Sequence, residues 1–279
     1  MKTELVTIKA GEGVELDGAF YTTLGDKRKT RDKCAVYLIH GRSMNFYNGF
    51  SRFIPSALAA KGYDCISLNR RGHSILTLTP GWKPEGDAVV LFSDQMSDAL
   101  SGLKFLKDQG YGEIIVGGHS QGGLLAAALT AQEDIIQGVI LASAIPGYDI
   151  IPPWYPEDVI DNIIEEAKVA LAEGKGDKLF TLPGWPWVIA AKTISQVLKP
   201  VQADLKVFME KITVPILSLY GSEDIEPKLR EPGKEAFEVS PSKNKKFVII
   251  NGADHFYKGH ENKIQQEVVS WMEAEFPIK

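Results

Sequence analysis

One stretch constrains the fold more than any other: Glu113-Ile-Ile-Val-Gly-Gly-His-Ser-Gln-Gly-Gly-Leu-Leu-Ala-Ala-Ala-Leu129. Ile114 to Val116 form a short apolar run of the kind that makes a buried strand, and the small, apolar residues from about Gln121 suit a helix. Between them, Gly118-His119-Ser120-Gln121-Gly122 must turn the chain abruptly. A serine can top such a turn, in strained backbone geometry, only if Gly118 and Gly122 leave room for neighbouring chain. Its hydroxyl then clears the sheet and lies near a helix N-terminus, whose N–H groups favour developing negative charge. The same residues also fit a tight turn whose serine merely caps the helix.

A strand that feeds a helix this way belongs in a parallel sheet, and the rest of the chain repeats the unit. Glu4 to Ile8 and Glu15 to Tyr21 alternate apolar with polar residues, as expected of a solvated antiparallel hairpin at one sheet edge. Cys34 to Ile39 and Tyr63 to Leu68 read as strands, with a helix from about Gly49 to Lys61 between them and Gly62 as its stop signal. In the stretch from Phe92 to Gly110, Met96, Leu100, Leu103 and Leu106 recur at three- and four-residue steps, so one helical face should pack on the sheet. Gly138 to Ser143, Val214 to Leu219 and Lys246 to Ile250 supply further strands, and a closing helix spans about Glu261 to Phe276. The expected fold class is α/β, a mostly parallel, doubly wound sheet of about eight strands with right-handed crossovers.

The alternation breaks after Pro146. Residues 147–212 hold two helical segments, near Pro156 to Gly174 and Trp185 to Glu210, with no strand expected among them. Trp154, Tyr155, Trp185 and Trp187 cluster near their starts, interleaved with prolines. The expected division is therefore a core of residues 1–146 and 213–279 and a helical lid of residues 147–212. The four aromatics either line a pocket beneath the lid or anchor it to the core.

Composition narrows the partners. Thirty-one basic against 36 acidic residues give a net charge of −5, which argues against a nucleic-acid surface. The basic run Lys27 to Lys33 reads as a solvated loop. No apolar stretch approaches the roughly 18 residues that span a bilayer, and the N-terminus alternates like a strand rather than like a secretion signal. Cys34 and Cys65 fall in apolar runs, as buried free thiols of a cytoplasmic protein would. No group of residues has metal-ligand spacing, no cofactor is expected, and nothing in the pattern specifies an oligomeric state.

In open parallel sheets, ligands sit beyond the carboxyl ends of the strands. His40-Gly41, Asn69 to His73, Ser120, Asp224 and His255 all follow a strand end directly. The order Ser120, Asp224, His255 is that of one known class of serine-based site, and Gly118 to Gly122 fit its G-x-S-x-G turn. On these residues the chain resembles the α/β-hydrolases, from about Glu15 to its C-terminus, with an inserted lid. Gly-His-Ser-Gln-Gly-Gly is similar to the turn of bacterial carboxylesterases of the cinnamoyl-esterase type. Arg70-Arg71-Gly72-His73-Ser74 resembles the family's Arg-Gly-His-Gly loop, with Asn69 in place of the usual Asp and Ser74 in place of the second Gly.

The resemblance implies roles position by position. Ser120 is the expected nucleophile, His255 the general base and Asp224 the acid that orients it, although the adjacent Glu223 also offers a carboxylate. The backbone N–H groups of Arg42, third residue of His40-Gly41-Arg42, and of Gln121 form the expected oxyanion hole. The Arg42 side chain either binds a substrate carboxylate or, as the reading favours, points to solvent. His40 and His73 are expected to be structural, His119 to fill a variable turn position, and Asp254 to form a turn. The implied activity is hydrolysis of small carboxylic esters, lactones or thioesters through an acyl-enzyme. The same site type also serves acyl transfer, C–C bond hydrolysis, cofactor-free haloperoxidation or ligand sensing, and fold does not choose among them.

Overall fold

The computed structural model describes residues 1–24, 32–78, 84–147, 157–181, 188–198, 203–224 and 227–278. Strands β1 (Lys2–Lys9) and β2 (Glu15–Thr22) pair antiparallel along their whole length, with Lys2 opposite Thr22. There follow β3 (Cys34–Ile39), α1 (Gly49–Ala59), β4 (Asp64–Leu68), a two-residue pair β5 (Thr77–Leu78) and β6 (Pro84–Glu85), and α2 (Phe92–Asp108). Next come β7 (Glu113–His119), α3 (Gln121–Thr130) and β8 (Ile136–Ala142). The inserted stretch holds α4 (Glu157–Ala172), β9 (Leu179–Thr181), β10 (Val188–Ala190), α5 (Ala191–Leu198) and α6 (Leu205–Met209). Strand β11 (Ile216–Gly221), helix α7 (Pro227–Val239), strand β12 (Lys245–Ile250) and helix α8 (Glu261–Glu275) complete the chain.

Eight strands form one sheet in the order β1-β2-β4-β3-β7-β8-β11-β12. From β4 to β12 every neighbouring pair is parallel, and only the β1–β2 hairpin and its junction with β4 run antiparallel. Both faces are covered, and the central strands show why they read as unbroken apolar runs. Along β3, Tyr37 and Ile39 enter the core beneath α2 and α3, whereas Val36 and Leu38 enter the opposite core beneath α1 and α8. Helix α3 is buried from Gln121 to Leu129, so its small residues let it lie close on the sheet with α2 and α6 beside it.

Four sequence expectations need correction. The inserted stretch does contain strands, because β9 and β10 pair antiparallel, Val188 opposite Thr181. Three-residue strands carry too little periodicity to register against a helical background. The second helical run divides into α5 and α6, separated by Asp204, whose carboxylate caps α6 by accepting from the Lys206 N–H at 2.8 Å. Helix α7 was not expected. Its Pro227 sits at the first helical position, which tolerates proline, but Pro232 lies inside it. In the basic run, Lys33 is no solvated residue: its Nζ lies 3.5 Å from the buried Asp64 carboxylate. Lys27 to Arg31 lie outside the described residues, as do Trp154, Tyr155, Trp185 and Trp187. Cys34 and Cys65 are buried and not joined in a disulfide. Among the described residues no helix is long and apolar enough to cross a membrane.

Candidate active site

The turn between β7 and α3 is strained where the sequence asked for strain. Ser120 adopts φ 55° and ψ −120°, a left-handed conformation that costs a non-glycine residue roughly 1–3 kcal/mol. The flanking glycines are obligatory. A Cβ on Gly118 would stand 2.0 Å from the Gly122 carbonyl oxygen, and one on Gly122 would stand 2.2 Å from that of Ile39. The turn therefore packs directly against the end of β3, with Gly122 against the Ile39 and His40 carbonyls and Gly41 against His119. Backbone bonds hold it: the Ser120 N–H donates to the Ala142 carbonyl at 2.8 Å, and its own carbonyl accepts from Gly123 at 2.9 Å.

His255 follows β12 and Asp224 follows β11. The His255 Nδ1 lies 2.8 Å from Asp224 Oδ1, with both side chains nearly buried. Because an ionised carboxylate only accepts, that bond puts the ring proton on Nδ1 and leaves Nε2 as the basic nitrogen. The second carboxylate oxygen, Oδ2, accepts from the Ser143 hydroxyl at 2.7 Å, and Tyr257 OH lies 2.8 Å from that hydroxyl. Burial pushes the Tyr257 phenol well up, so it remains a neutral donor, to Ser143 or to the Leu219 carbonyl. Glu223 is exposed, while Asp224 is buried against the histidine. No hydrogen bond joins Ser120 Oγ to the His255 ring among the described residues.

His119 has more to do than fill a variable position. It is buried, its Nε2 lies 2.7 Å from the His255 carbonyl, and the two rings are 4.8 Å apart. Burial, reinforced by the neighbouring His255, lowers its pKa to about 3, so the ring is neutral and donates through Nε2. Its Nδ1 finds no partner among the described residues. The folded state thus refuses a proton that the unfolded chain accepts below about pH 6.5. The contribution of His119 to stability is fully present above that value and falls, by at most about 1.4 kcal/mol per pH unit, as pH drops towards 3. The urea midpoint of the wild type should accordingly decline more between pH 6.5 and 4.5 than that of His119→Gln. Equal declines would mean that folded His119 takes up a proton readily.

His40, His73 and Asp254 each bond within their own loops. His40 is buried and held well below the ordinary imidazole range by burial and by Arg70. Its Nε2 accepts from the Arg70 N–H at 3.3 Å and its Nδ1 donates to the Gly41 carbonyl at 2.8 Å. Burial also lowers His73. Asp254 forms its turn by accepting from the N–H groups of Phe256 and Lys258, both at 3.0 Å.

The Arg42 side chain does not point to solvent. Its Nε donates to Asp87 Oδ2 at 2.5 Å, and the pair is nearly buried. Ser43 Oγ donates to the same oxygen at 3.3 Å. A lone guanidinium on a loop gives no sign of its partner, and Asp87 lies 45 residues away. The next residue, Ala88, receives the inserted stretch, since its carbonyl accepts from the Ala190 N–H at 2.8 Å and from Thr193 Oγ1 at 2.9 Å.

Sequence reasoning assigned no part to Asp87, Ser143 or Tyr257, and gave Arg70 and His119 only a place in a loop and in a turn. Ser143, directly after β8, and Tyr257, in the loop between β12 and α8, carry positive φ, a feature no residue pattern announced.

The fold is shared with known proteins. Est1E from Butyrivibrio proteoclasticus with ferulic acid bound superposes with a TM-score of 0.72 at 20% identity, over 97% of this chain and 98% of that one. A Pyrococcus furiosus esterase matches with a TM-score of 0.62 at 18% identity, over 98% and 91%. GrgF, an alpha/beta hydrolase from Penicillium sp. sh18, matches with a TM-score of 0.74 at 14% identity, over 99% of both chains. At these identities the likeness is one of fold. A sequence profile of the alpha/beta hydrolase fold, in contrast, matches residues 35–174 directly, from β3 through the glycine-flanked Ser120 to just past α4. The chain belongs to the alpha/beta hydrolase fold family.

Proposed function

We propose that the protein is a serine hydrolase of small carboxylic esters, with Ser120, His255 and Asp224 as its catalytic triad. One observation carries the reading. A serine in strained, positive-φ backbone stands at a helix N-terminus next to a turn whose histidine is oriented through Nδ1 by a buried carboxylate. In this mechanism Ser120 Oγ attacks the acyl carbonyl while His255 Nε2 removes its proton. Nδ1 stays bound to Asp224, whose charge stabilises the imidazolium that forms. The N–H groups of Arg42 and Gln121 receive the oxyanion, and loss of one such donor costs about 3–4 kcal/mol of transition-state stabilisation. His255 then protonates the leaving alcohol, and water activated by the same nitrogen releases the acid. No metal enters these steps.

Residues 147–212 act as a lid in this proposal. Its Ala167, Phe180, Ile189, Ile194, Phe208 and Met209 all pack into the main core, so the described part of the lid is anchored along its length. Because Est1E is described with ferulic acid bound, aromatic acyl groups belong among the first substrates tried. Turnover of p-nitrophenyl esters from acetate to dodecanoate, with methyl ferulate alongside, tests the proposal and sizes the acyl pocket. Absence of hydrolysis across the whole series would overturn it.

A further inference from the structure

We infer that Arg70 is a positioning residue for the oxyanion hole, fixing the peptide unit that carries the Arg42 N–H and bracing Gln121 at the same time. The inference rests on the hydrolase reading above. Arg70 follows β4, and its side chain is fully buried. Its Nη2 donates to the His40 carbonyl at 2.8 Å and to the Gly41 carbonyl at 3.4 Å, while Nη1 donates to Gln121 Oε1 at 3.4 Å. One guanidinium therefore reaches the residues that bring both proposed donors.

The Gly41 carbonyl matters most. It belongs to the same planar unit as the Arg42 N–H, and in a trans peptide the two point in opposite directions. That oxygen takes three donors: His40 Nδ1 at 2.8 Å, the Met44 N–H at 3.3 Å and Arg70 Nη2 at 3.4 Å. Holding the oxygen inward turns the N–H outward and prevents the plane from rotating as charge develops. A permanently charged donor on the carbonyl side also polarises the unit, which makes its N–H a stronger donor. Full burial leaves the cation little solvent screening, so its field favours negative charge nearby. A guanidinium has the geometry for this task, since its fork reaches several acceptors from one rigid plane, whereas an ammonium would serve fewer of them.

The test uses Arg70→Met and Arg70→Lys in the full chain. Arg70→Met should lose about 10- to 100-fold in kcat with KM within about threefold, because the interaction strengthens only as the oxyanion forms. Arg70→Lys should recover part of the loss. A second readout separates oxyanion support from general damage. The inhibition constant for a trifluoromethyl ketone, which becomes an oxyanion on the serine, should rise by the factor by which kcat/KM falls. Affinity for the matching methyl ketone should stay unchanged. Unaltered kcat in Arg70→Met, or equal weakening of both ketones, would overturn the inference. Should Arg70→Met fail to fold, Arg70→Lys decides by the same ketone comparison. Stoichiometric labelling of wild-type Ser120 by a fluorophosphonate keeps the two proposals apart. An unlabelled, inactive wild type sinks the hydrolase reading, whereas a labelled one with unaffected Arg70 variants sinks only the role of Arg70.

Discussion

Ser120→Ala should lose at least about 10⁴-fold in kcat, together with all fluorophosphonate labelling, and keep its thermal midpoint within a few degrees. The expected effect is this large because a nucleophile has no understudy: removing it ends covalent catalysis and leaves only binding and the oxyanion donors. The expected stability change is small for a separate reason. Ser120 Oγ makes no hydrogen bond with the protein among the described residues, and the bonds that hold the turn come from its backbone. Alanine occupies the same φ 55° backbone at a similar cost. Retention of more than about one per cent of wild-type turnover in a purified variant would remove Ser120 from the mechanism.

Asp224→Asn should lower kcat by about 10⁴-fold while Glu223→Gln stays within about twofold. The amide is nearly isosteric, but its NH2 group can face the ring nitrogen where the carboxylate only accepts. His255 would then carry its proton on Nε2, the nitrogen that accepts one from Ser120 in the proposed mechanism. The bond from Ser143 to Oδ2 favours the same outcome, since a carbonyl oxygen kept there would turn the NH2 towards His255. Glu223 is exposed and only one residue away, so the pair of variants separates position from mere acidity. Equal losses in both would mean that the charge of the turn, rather than the Asp224–His255 bond, is what matters.

Most of the fold was legible because its signals are strong and local. Apolar runs such as Cys34 to Ile39 can be accommodated only with both faces covered, and glycines at 118 and 122 admit very few backbone arrangements. The positions of Ser120, Asp224 and His255 followed from strand ends, which the runs locate well. What escaped were partners brought together by the fold alone. Asp87 meets Arg42, Ser143 meets Asp224 and His119 meets the His255 carbonyl, over separations of 45, 81 and 136 residues. Single-sequence periodicity carries no information on such pairs. The short strands β9 and β10 and the proline-bearing α7 were missed for a different reason, since their local propensities are weak and tertiary packing decides them.

The junction at Asp87 and Ala88 has a consequence for anyone who would re-engineer this protein. Asp87 grips the Arg42 side chain, while the neighbouring carbonyl grips Ala190 and Thr193 of the insertion. Residues 147–212 are thus not a cassette with two cut points. A chimera that exchanges them for a relative's segment would inherit a docking partner shaped for other side chains, and the mismatch would be felt at Arg42. Successful exchange requires residues 87–89 to travel with the graft, so the smallest transferable unit is discontinuous in sequence.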